Sequence, residues 1–575
     1  MKPALCLALA LLLPLSNPAV SATPEPPEPP YRSSLDAPLF YQILLGELYL
    51  RAGDASTAYA LMLDAARRTH EPRLFKRAVD IALEAREGDA ALEAARAWRK
   101  DQPHSLAAGR LLLQLLVALN RIEETEPLLR ELLEDIAPSE RASAIASIPA
   151  LFANVRSGRD AAERVTRALA DALRQPETAP AAHAAIARLW LQAGDASAAL
   201  EATRRALDHD PRSEAAALVA AELVGPEQPT AEALVERYLS AAQPPSTSVL
   251  LTYTQSLIRQ GRRAEAMQWL ERATREAPQQ AQAWLALGLL QADEGLARAA
   301  HASLERYLAL TEAEAARHPG GRNTALMALA RLALRSGQIE EAQRWVAQLP
   351  EDAESLQPVT LKASLLAAQG KLDEARRLIR SWPAASAEQE VARLMAEVRL
   401  LQDHGQPAEA FRLLEEGVNR WPDDPDLRYE LALAAERRGD LARMERELRT
   451  LIERHPRFHH AYNALGYSMA ERNVNLDEAR QLILKALEFA PKDPLILDSL
   501  GWVEYRLGNL SRAREILEGA FAAMPDAEIA AHLGEVLWAL GDREQARRVW
   551  EAGARINPNN ATLTATRKRL TGEKP

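Results

Sequence analysis

A small residue recurs along most of this chain at intervals close to 34 residues, and this period constrains the fold more than any other feature. The interval is 33 residues from Ala233 to Ala266 and 34 residues from Ala266 to Ala300. A glycine stands five residues before most of these positions, where a left-handed backbone conformation ends a helix. These glycines are Gly53, Gly194, Gly261, Gly295, Gly337, Gly370, Gly405, Gly439, Gly508 and Gly541. The pattern predicts antiparallel helical hairpins, with the small residue at the closest crossing of two helices.

The period and its flanking residues are those of the tetratricopeptide repeat (TPR), a two-helix unit that stacks on its neighbours. Trp284, Leu287 and Gly288 match the start of its first helix. Prolines stand where second helices are expected to end, because proline stops one helix and opens the next. They are Pro211, Pro278, Pro422, Pro456, Pro491, Pro525 and Pro558. We predict an all-α TPR solenoid over residues 37–560, a right-handed superhelix of roughly 15 antiparallel helical hairpins.

The repeat register is looser in two places. Residues 104–180 keep a helical pattern but lose the glycines, and residues 311–323 include the sequence His318-Pro319-Gly320-Gly321. Bends between sub-arrays and tolerated surface insertions explain these two segments equally well. Residues 561–575 are polar, and we expect them to form the capping helix and tail that end a solenoid.

The N-terminus has the features of an export signal. Lys2 precedes a short apolar run, and Val20-Ser21-Ala22 supplies a cleavage pattern, so residues 1–22 are predicted to be a signal peptide. Residues 23–36 are rich in proline and predict an extended linker. The single cysteine, Cys6, precedes the apolar run instead of following it, so this N-terminus does not predict lipoprotein anchoring. We expect a periplasmic protein without thiols, with at most a peripheral association with the outer membrane.

Charge and motifs exclude several functions. A formal charge of -10 argues against nucleic-acid binding, which needs a basic surface. The chain has no zinc-binding His-Glu-x-x-His helix, no phosphate-binding loop and no nucleophile elbow. We therefore expect no catalytic residues, no metal, no cofactor and no small-molecule substrate. Other proteins are the expected partners, since stacked hairpins offer a long surface for peptides or helices.

Two sets of apolar residues are candidate protein-binding sites. The register of the C-terminal repeats points Tyr467, Trp502, Tyr505 and Trp538 towards the groove, where they would form an aromatic strip. Packing between adjacent first helices is the alternative role for these four residues. At the other end of the array, no repeat precedes the opening helix, so its apolar residues must be capped or bind a partner. These residues are Phe40, Tyr41, Leu44 and Tyr49.

Three stretches resemble a proteobacterial family of envelope TPR proteins that act as adaptors for a carboxyl-terminal processing serine protease. They are residues 35–42 (LDAPLFYQ), residues 148–153 (IPALFA), and the block from Ala461 to Trp502. The resemblance implies a non-catalytic envelope protein that binds the protease, promotes its activity and brings cell-wall hydrolases to it. Members of the family are typically outer-membrane lipoproteins, and the absence of a recognisable lipobox distinguishes this chain from them.

Two other functions compete with the protease adaptor. A scaffold for exopolysaccharide secretion or outer-membrane assembly is the alternative, because TPR arrays also serve such systems. An enzyme fused to TPRs is disfavoured, because the repeats occupy nearly the whole chain and leave no room for a catalytic domain. The partner that co-purifies with the chain would distinguish the protease adaptor from the secretion or assembly scaffold.

Overall fold

The computed structural model describes residues 36–314, 319–350 and 355–572, and nearly all of the regular structure in these ranges is α-helical. The chain divides into two compact units, residues 1–283 and residues 284–575. The predicted signal peptide (1–22), and all of the predicted linker except its last residue, lie outside the described residues.

Helices α1 to α14 belong to the first unit. Their bounds are α1 (Ala37–Arg51), α2 (Ala55–Thr69), α3 (Pro72–Glu84), α4 (Gly88–Asp101), α5 (Leu106–Ala118), α6 (Thr125–Asp135), α7 (Pro138–Leu151), α8 (Gly158–Ala168), α9 (Ala179–Gln192), α10 (Ala196–His209), α11 (Glu214–Leu223), α12 (Pro229–Ala241), α13 (Thr247–Arg259) and α14 (Arg263–Glu276). Two 3-10 turns, Ile122–Glu124 and Ala172–Arg174, interrupt the series.

Helix α15 (Ala281–Asp293) contains the division between the units, and α16 to α31 belong to the second. Their bounds are α16 (Ala297–Thr311), α17 (Pro319–Arg335), α18 (Ile339–Val346), α19 (Leu356–Ala368), α20 (Leu372–Ser381), α21 (Ala387–Asp403), α22 (Pro407–Arg420), α23 (Pro425–Arg437), α24 (Leu441–Arg454), α25 (His459–Glu471), α26 (Leu476–Phe489), α27 (Pro494–Arg506), α28 (Leu510–Ala523), α29 (Ala527–Ala539), α30 (Arg543–Ile556) and α31 (Ala561–Thr571). The 31 helices of the described ranges agree in number with roughly 15 hairpins and a final helix, although α7 packs mainly on α9.

The predicted glycines end the first helices in the predicted way. All ten have a positive φ, from +71° at Gly337 to +91° at Gly541, and no other residue lies within 4 Å of where their Cβ would be. Only the backbone conformation therefore requires glycine at these turns. Arg86 and Asn120 take the same conformation in repeats that lack the glycine, with φ of +62° and +56°.

The small residues of the repeat are buried, with one exception. Ala266, Ala300 and Ala546 are completely inaccessible to solvent. Met444 stands where the repeat would have a small residue, between Ala410 and Ala479, and it is also buried. The register is wrong at Ala233, which is exposed, whereas Ala231 is buried in its place. Because α12 begins at Pro229, its inward face passes through Ala231 and Val235 instead.

The two segments with a loose register are irregular in the structure. In residues 104–180, one 3-10 turn precedes α6 and another follows α8, Pro149 lies inside α7, and α7 and α8 both contact α9. In the second segment, a 3-10 turn (Glu312–Glu314) follows α16, and α17 begins at Pro319. His318 lies outside the described residues.

The hydrophobic core runs between successive helices within each unit. At the C-terminal end, α31 contacts both α29 and α30, and Leu563 of α31 joins the core formed by α28 to α30. None of the described helices combines the length and apolar character that crossing a membrane requires.

Candidate protein-binding surfaces

Helix α1 contacts α2 through one side only. Leu39 and Gly46 are its buried residues, and Gln42 fixes the packing by donating hydrogen bonds to the Leu61 carbonyl (2.8 Å) and to Asp64 Oδ2 (2.9 Å). Asp36 caps the helix by accepting a hydrogen bond from the Leu39 amide. The opposite side of α1 is left to the solvent among the described residues.

That opposite side carries large apolar side chains. Phe40 is 58% exposed and Tyr41 is 61% exposed. Leu44, Leu48 and Tyr49 are exposed as well. Phe40, Leu44 and Leu48 are spaced at four-residue intervals, which places them in one stripe along the helix. We call these five residues the α1 apolar face, and an exposed group of large apolar side chains of this kind is a candidate interaction site.

The sequence interpretation missed Leu48. Its spacing from Leu44 was a sufficient signal, because residues four apart in a helix lie above one another. With Leu48 included, the apolar stripe runs nearly the full length of α1.

Three of the four residues proposed for the C-terminal aromatic strip come together, on the neighbouring first helices α25 and α27. Trp502 is only 4% exposed, and its ring centroid lies 5.1 Å from that of Tyr505. Trp502 also stacks on His532 of α29, with ring centroids 4.3 Å apart. Tyr467 also faces His532, at 6.1 Å. We call the side of α25, α27 and α29 that bears these residues the first-helix face.

The fourth residue, Trp538, does not join this group. It packs against Trp550 of α30, with ring centroids 5.6 Å apart, and the guanidinium groups of Arg543 and Arg547 lie over its ring. Trp538 therefore contacts the second helix of its own hairpin, and among the described residues it has no ring contact with Tyr467 or Trp502.

A buried ion pair lies at the centre of the first-helix face. Nδ1 of His532 is 2.9 Å from Asp498 Oδ2, and His532 is 1% exposed. Burial disfavours the charged imidazole, but the charge of Asp498 and its hydrogen bond outweigh this, so the pKa of His532 is raised. Glu528 and Glu471 act in the same direction.

The tyrosine hydroxyls of this face are bound to carboxylates. Tyr467 donates to Glu528 Oε1 and Tyr505 donates to Glu535 Oε1, each at 3.1 Å. Burial and the nearby Glu528 raise the pKa of Tyr467. Arg569 of α31 also binds Glu535, which ties the last helix to α29.

Sequence reasoning did not identify the polar residues of this face. Asp498 and Asn463 each precede a repeat glycine by three residues, and His532 precedes its glycine by two. Polar residues at these positions of otherwise apolar first helices could have indicated a buried polar cluster. No group of three or more metal-binding side chains occurs in the part of the chain that the structure describes.

Two family models, both described as tetratricopeptide repeat, match this chain. One covers residues 247–290 and the other covers residues 395–443, 445–494 and 499–561. These segments fall on hairpins whose bounds are given above. They support the repeat assignment made from the period.

Two known proteins are similar over part of the chain. TPR repeat-containing protein PA4667 of Pseudomonas aeruginosa is 36% identical over 211 residues, which is 37% of this chain and 36% of that protein. Cellulose synthase 1 operon protein C of Komagataeibacter xylinus is 31% identical over 206 residues, which is 34% of this chain and 15% of that protein. In both cases the chain spans well under half of the relative's length.

Solved structures of repeat proteins also align. The Cut9–Hcn1 hetero-tetramer of APC/C is 14% identical, with 93% of this chain and 96% of that chain covered and a TM-score of 0.32. TTC0263, a thermophilic TPR protein of Thermus thermophilus, is 24% identical, with 32% of this chain and 98% of that chain covered and a TM-score of 0.28. TM-scores this low do not support a comparison of the two folds, so the fold is assigned from the helices of this chain.

Proposed function

We propose, from the premise that this chain is a tetratricopeptide-repeat protein, that it is a non-catalytic scaffold of the cell envelope that binds other proteins. The helices occupy most of the described residues from 37–314, 319–350 and 355–571, which leaves little of this part of the chain for a catalytic domain. The two family models describe repeats alone. Export to the periplasm, through cleavage after residue 22, is part of this proposal.

The α1 apolar face carries the proposal. Five large apolar side chains on one helix remain exposed, whereas a solenoid end that serves only as a cap presents polar residues. Phe40 and Tyr41 are the favoured anchors, since aromatic side chains contribute large contact areas at interfaces. The likeness of residues 35–42 to the adaptor family covers the same helix. We therefore propose that α1 recruits a carboxyl-terminal processing serine protease, and that the chain promotes its action on cell-wall hydrolases.

A second candidate is a scaffold for exopolysaccharide secretion or outer-membrane assembly. It is favoured by the 31% identity over 206 residues to a protein named for a cellulose synthase operon. The aligned part is 15% of that protein, so the observation supports the repeat more directly than the role. The two candidates differ in the partner that the chain retains.

An affinity capture from periplasmic extract of the native host tests the proposal. The purified chain serves as bait, and mass spectrometry identifies what is retained. We expect recovery of a carboxyl-terminal processing protease together with cell-wall hydrolases. Secretion or outer-membrane assembly components without that protease would replace the adaptor by the second candidate.

Variants of the bait locate the contact. Phe40→Ala combined with Leu44→Ala is expected to lower recovery of the protease about tenfold, since two exposed anchors are lost. Ile556→Ala, at another exposed apolar residue, is the matched control and should leave recovery unchanged. Equal recovery by all three baits would remove α1 from the contact.

A further inference from the structure

The first-helix face holds buried polar atoms that no residue of the described chain satisfies. They are Nε1 of Trp502, Nε2 of His532 and Oδ1 of Asn463. Trp502 and His532 are each more than nine-tenths buried and stack on one another, so their free nitrogens belong to one cluster. A buried donor without a partner costs stability, and such groups are rare in native proteins. Their concentration on neighbouring helices indicates a place where a ligand completes the hydrogen bonds.

Negatively charged side chains predominate in this cluster. Asp498, Glu528 and Glu471 all raise the pKa of Tyr467, and the same three raise the pKa of His532. Among the described residues His532 neutralises Asp498, whereas Glu528 accepts only the Tyr467 hydroxyl and Glu471 has no ion pair. Two carboxylates therefore remain without a cationic partner beside the unsatisfied nitrogens.

Two arginines lie beside the cluster, and among the described residues neither forms an ion pair with Glu528 or Glu471. Arg569 binds Glu535, and Arg506 lies over the Trp502 ring while donating to the backbone carbonyl of Glu471. A ligand carboxylate would meet Glu528 and Glu471 and be repelled. A ligand with a positive charge and a carbonyl acceptor satisfies both the carboxylates and the Trp502 N–H donor.

We propose that the first-helix face binds an extended peptide segment containing a lysine or arginine. The basic side chain pairs with Glu528 and Glu471 beside Tyr467, and a backbone carbonyl of the segment accepts from Trp502 Nε1. The backbone N–H of the segment donates to Asn463 Oδ1. This inference rests on the proposed function as a protein-binding scaffold and specifies the chemistry of one partner.

A peptide fits better than a small amine because the face continues onto the preceding first helix. His460 is on the Asn463 side of α25, and Tyr429 of α23 contacts it, with ring centroids 6.2 Å apart. Phe458 lies 5.5 Å from Tyr429. The face therefore includes residues of four first helices, which is more than a single amino acid can contact.

Selection of random dodecapeptides displayed on phage, with the purified chain as target, tests this inference without assuming a partner. We expect enriched peptides that share a lysine or arginine at one position and are poor in acidic residues. In the synthetic form of such a peptide, replacing the basic residue by norleucine should weaken binding about tenfold by fluorescence anisotropy. No enrichment, or enrichment of acidic peptides, would overturn the proposal.

Variants of the chain connect the peptide to this face. Glu528→Gln is expected to weaken the lysine peptide about tenfold and the norleucine peptide hardly at all. Glu544→Gln, at an exposed carboxylate of α30, is the matched control and should change neither affinity. Similar losses in both variants, or equal losses for both peptides, would contradict the assignment.

Trp502→Phe removes the indole N–H and leaves a smaller ring. The lysine peptide should therefore bind about fivefold more weakly, and the melting temperature should fall because the smaller ring leaves a cavity in the core. Unchanged affinity would show that Trp502 only packs, and binding of lysine methylamide as tight as that of the peptide would assign the face to a small amine.

Peptide binding in the Phe40→Ala, Leu44→Ala variant should stay normal, so loss of protease capture alone would reject the proposed partner and leave this inference intact.

Discussion

At the residue scale, glycine has two separate roles in this repeat. Gly541 and its equivalents are required by a positive φ and have open space around them. Gly466 lies where two helices cross, and an added Cβ there would be 2.8 Å from the Ala479 carbonyl oxygen and 2.7 Å from Ile483. The small residues on both sides of the hairpin thus set how closely its helices approach.

Gly466→Ala is therefore expected to destabilise the protein by about 1–3 kcal/mol, because the added methyl meets backbone that cannot move aside. Gly519→Ala is the matched comparison, since Gly519 is exposed in α28 with no atom within 4 Å of its Cβ position. It should stabilise by about 0.5–1 kcal/mol through higher helix propensity. Chemical denaturation of both variants measures the difference, and a stable Gly466→Ala would refute the close crossing.

His532 gives a pH dependence whose sign follows from its raised pKa. The ordinary value is 6.5, so the contribution of the His532–Asp498 pair is fully present below that pH. It is lost as the pH rises through the higher pKa of the folded protein. We expect the stability difference between the wild type and His532→Gln to shrink on going from pH 6 towards pH 9.

Asp498→Asn is the companion variant for that measurement. Without the Asp498 carboxylate only the smaller effects of Glu528 and Glu471 oppose the burial of the charged imidazole, so the pH dependence assigned to His532 should become much weaker. A wild type and an Asp498→Asn variant with parallel stability curves would contradict the role of the pair.

At the element scale, the repeat pattern was sufficient to predict hairpins because its two signals act locally. A glycine ends one helix and a small residue begins the tight contact with the next, so the positive φ at Gly53 needed no distant information. The register at Ala233 failed because the buried position depends on where α12 starts, and Pro229 moves that start. Whether an aromatic residue faces a neighbouring repeat or its own hairpin also depends on packing, which the sequence did not distinguish for Trp502 and Trp538.

Helix α1 shows the same separation between a buried and an exposed side. Leu39→Ala is expected to loosen the α1–α2 hairpin by about 2–4 kcal/mol, because Leu39 is buried. Phe40→Ala should cost less than about 0.5 kcal/mol, since its ring is mostly exposed. Hydrogen–deuterium exchange of the α1 amides measures both losses of stability. Equal protection in the two variants would mean that the Phe40 ring is buried and not exposed.

At the scale of the whole molecule, the chain offers two surfaces of different chemistry. The α1 apolar face belongs to the first unit and suits an apolar contact with a folded partner. The first-helix face belongs to the second unit and combines buried aromatic rings with carboxylates. An adaptor that holds a protease and a substrate needs two such surfaces, and a single-partner scaffold needs only one.

The most direct test of the adaptor function is a reconstituted digestion. The captured protease and a purified cell-wall hydrolase are incubated with and without this chain, and the intact hydrolase is followed by gel electrophoresis. We predict that the chain alone cleaves nothing and that it accelerates the protease, with the Phe40→Ala, Leu44→Ala variant accelerating it much less. Cleavage by the chain alone, or a protease rate that the chain does not change, would contradict the account.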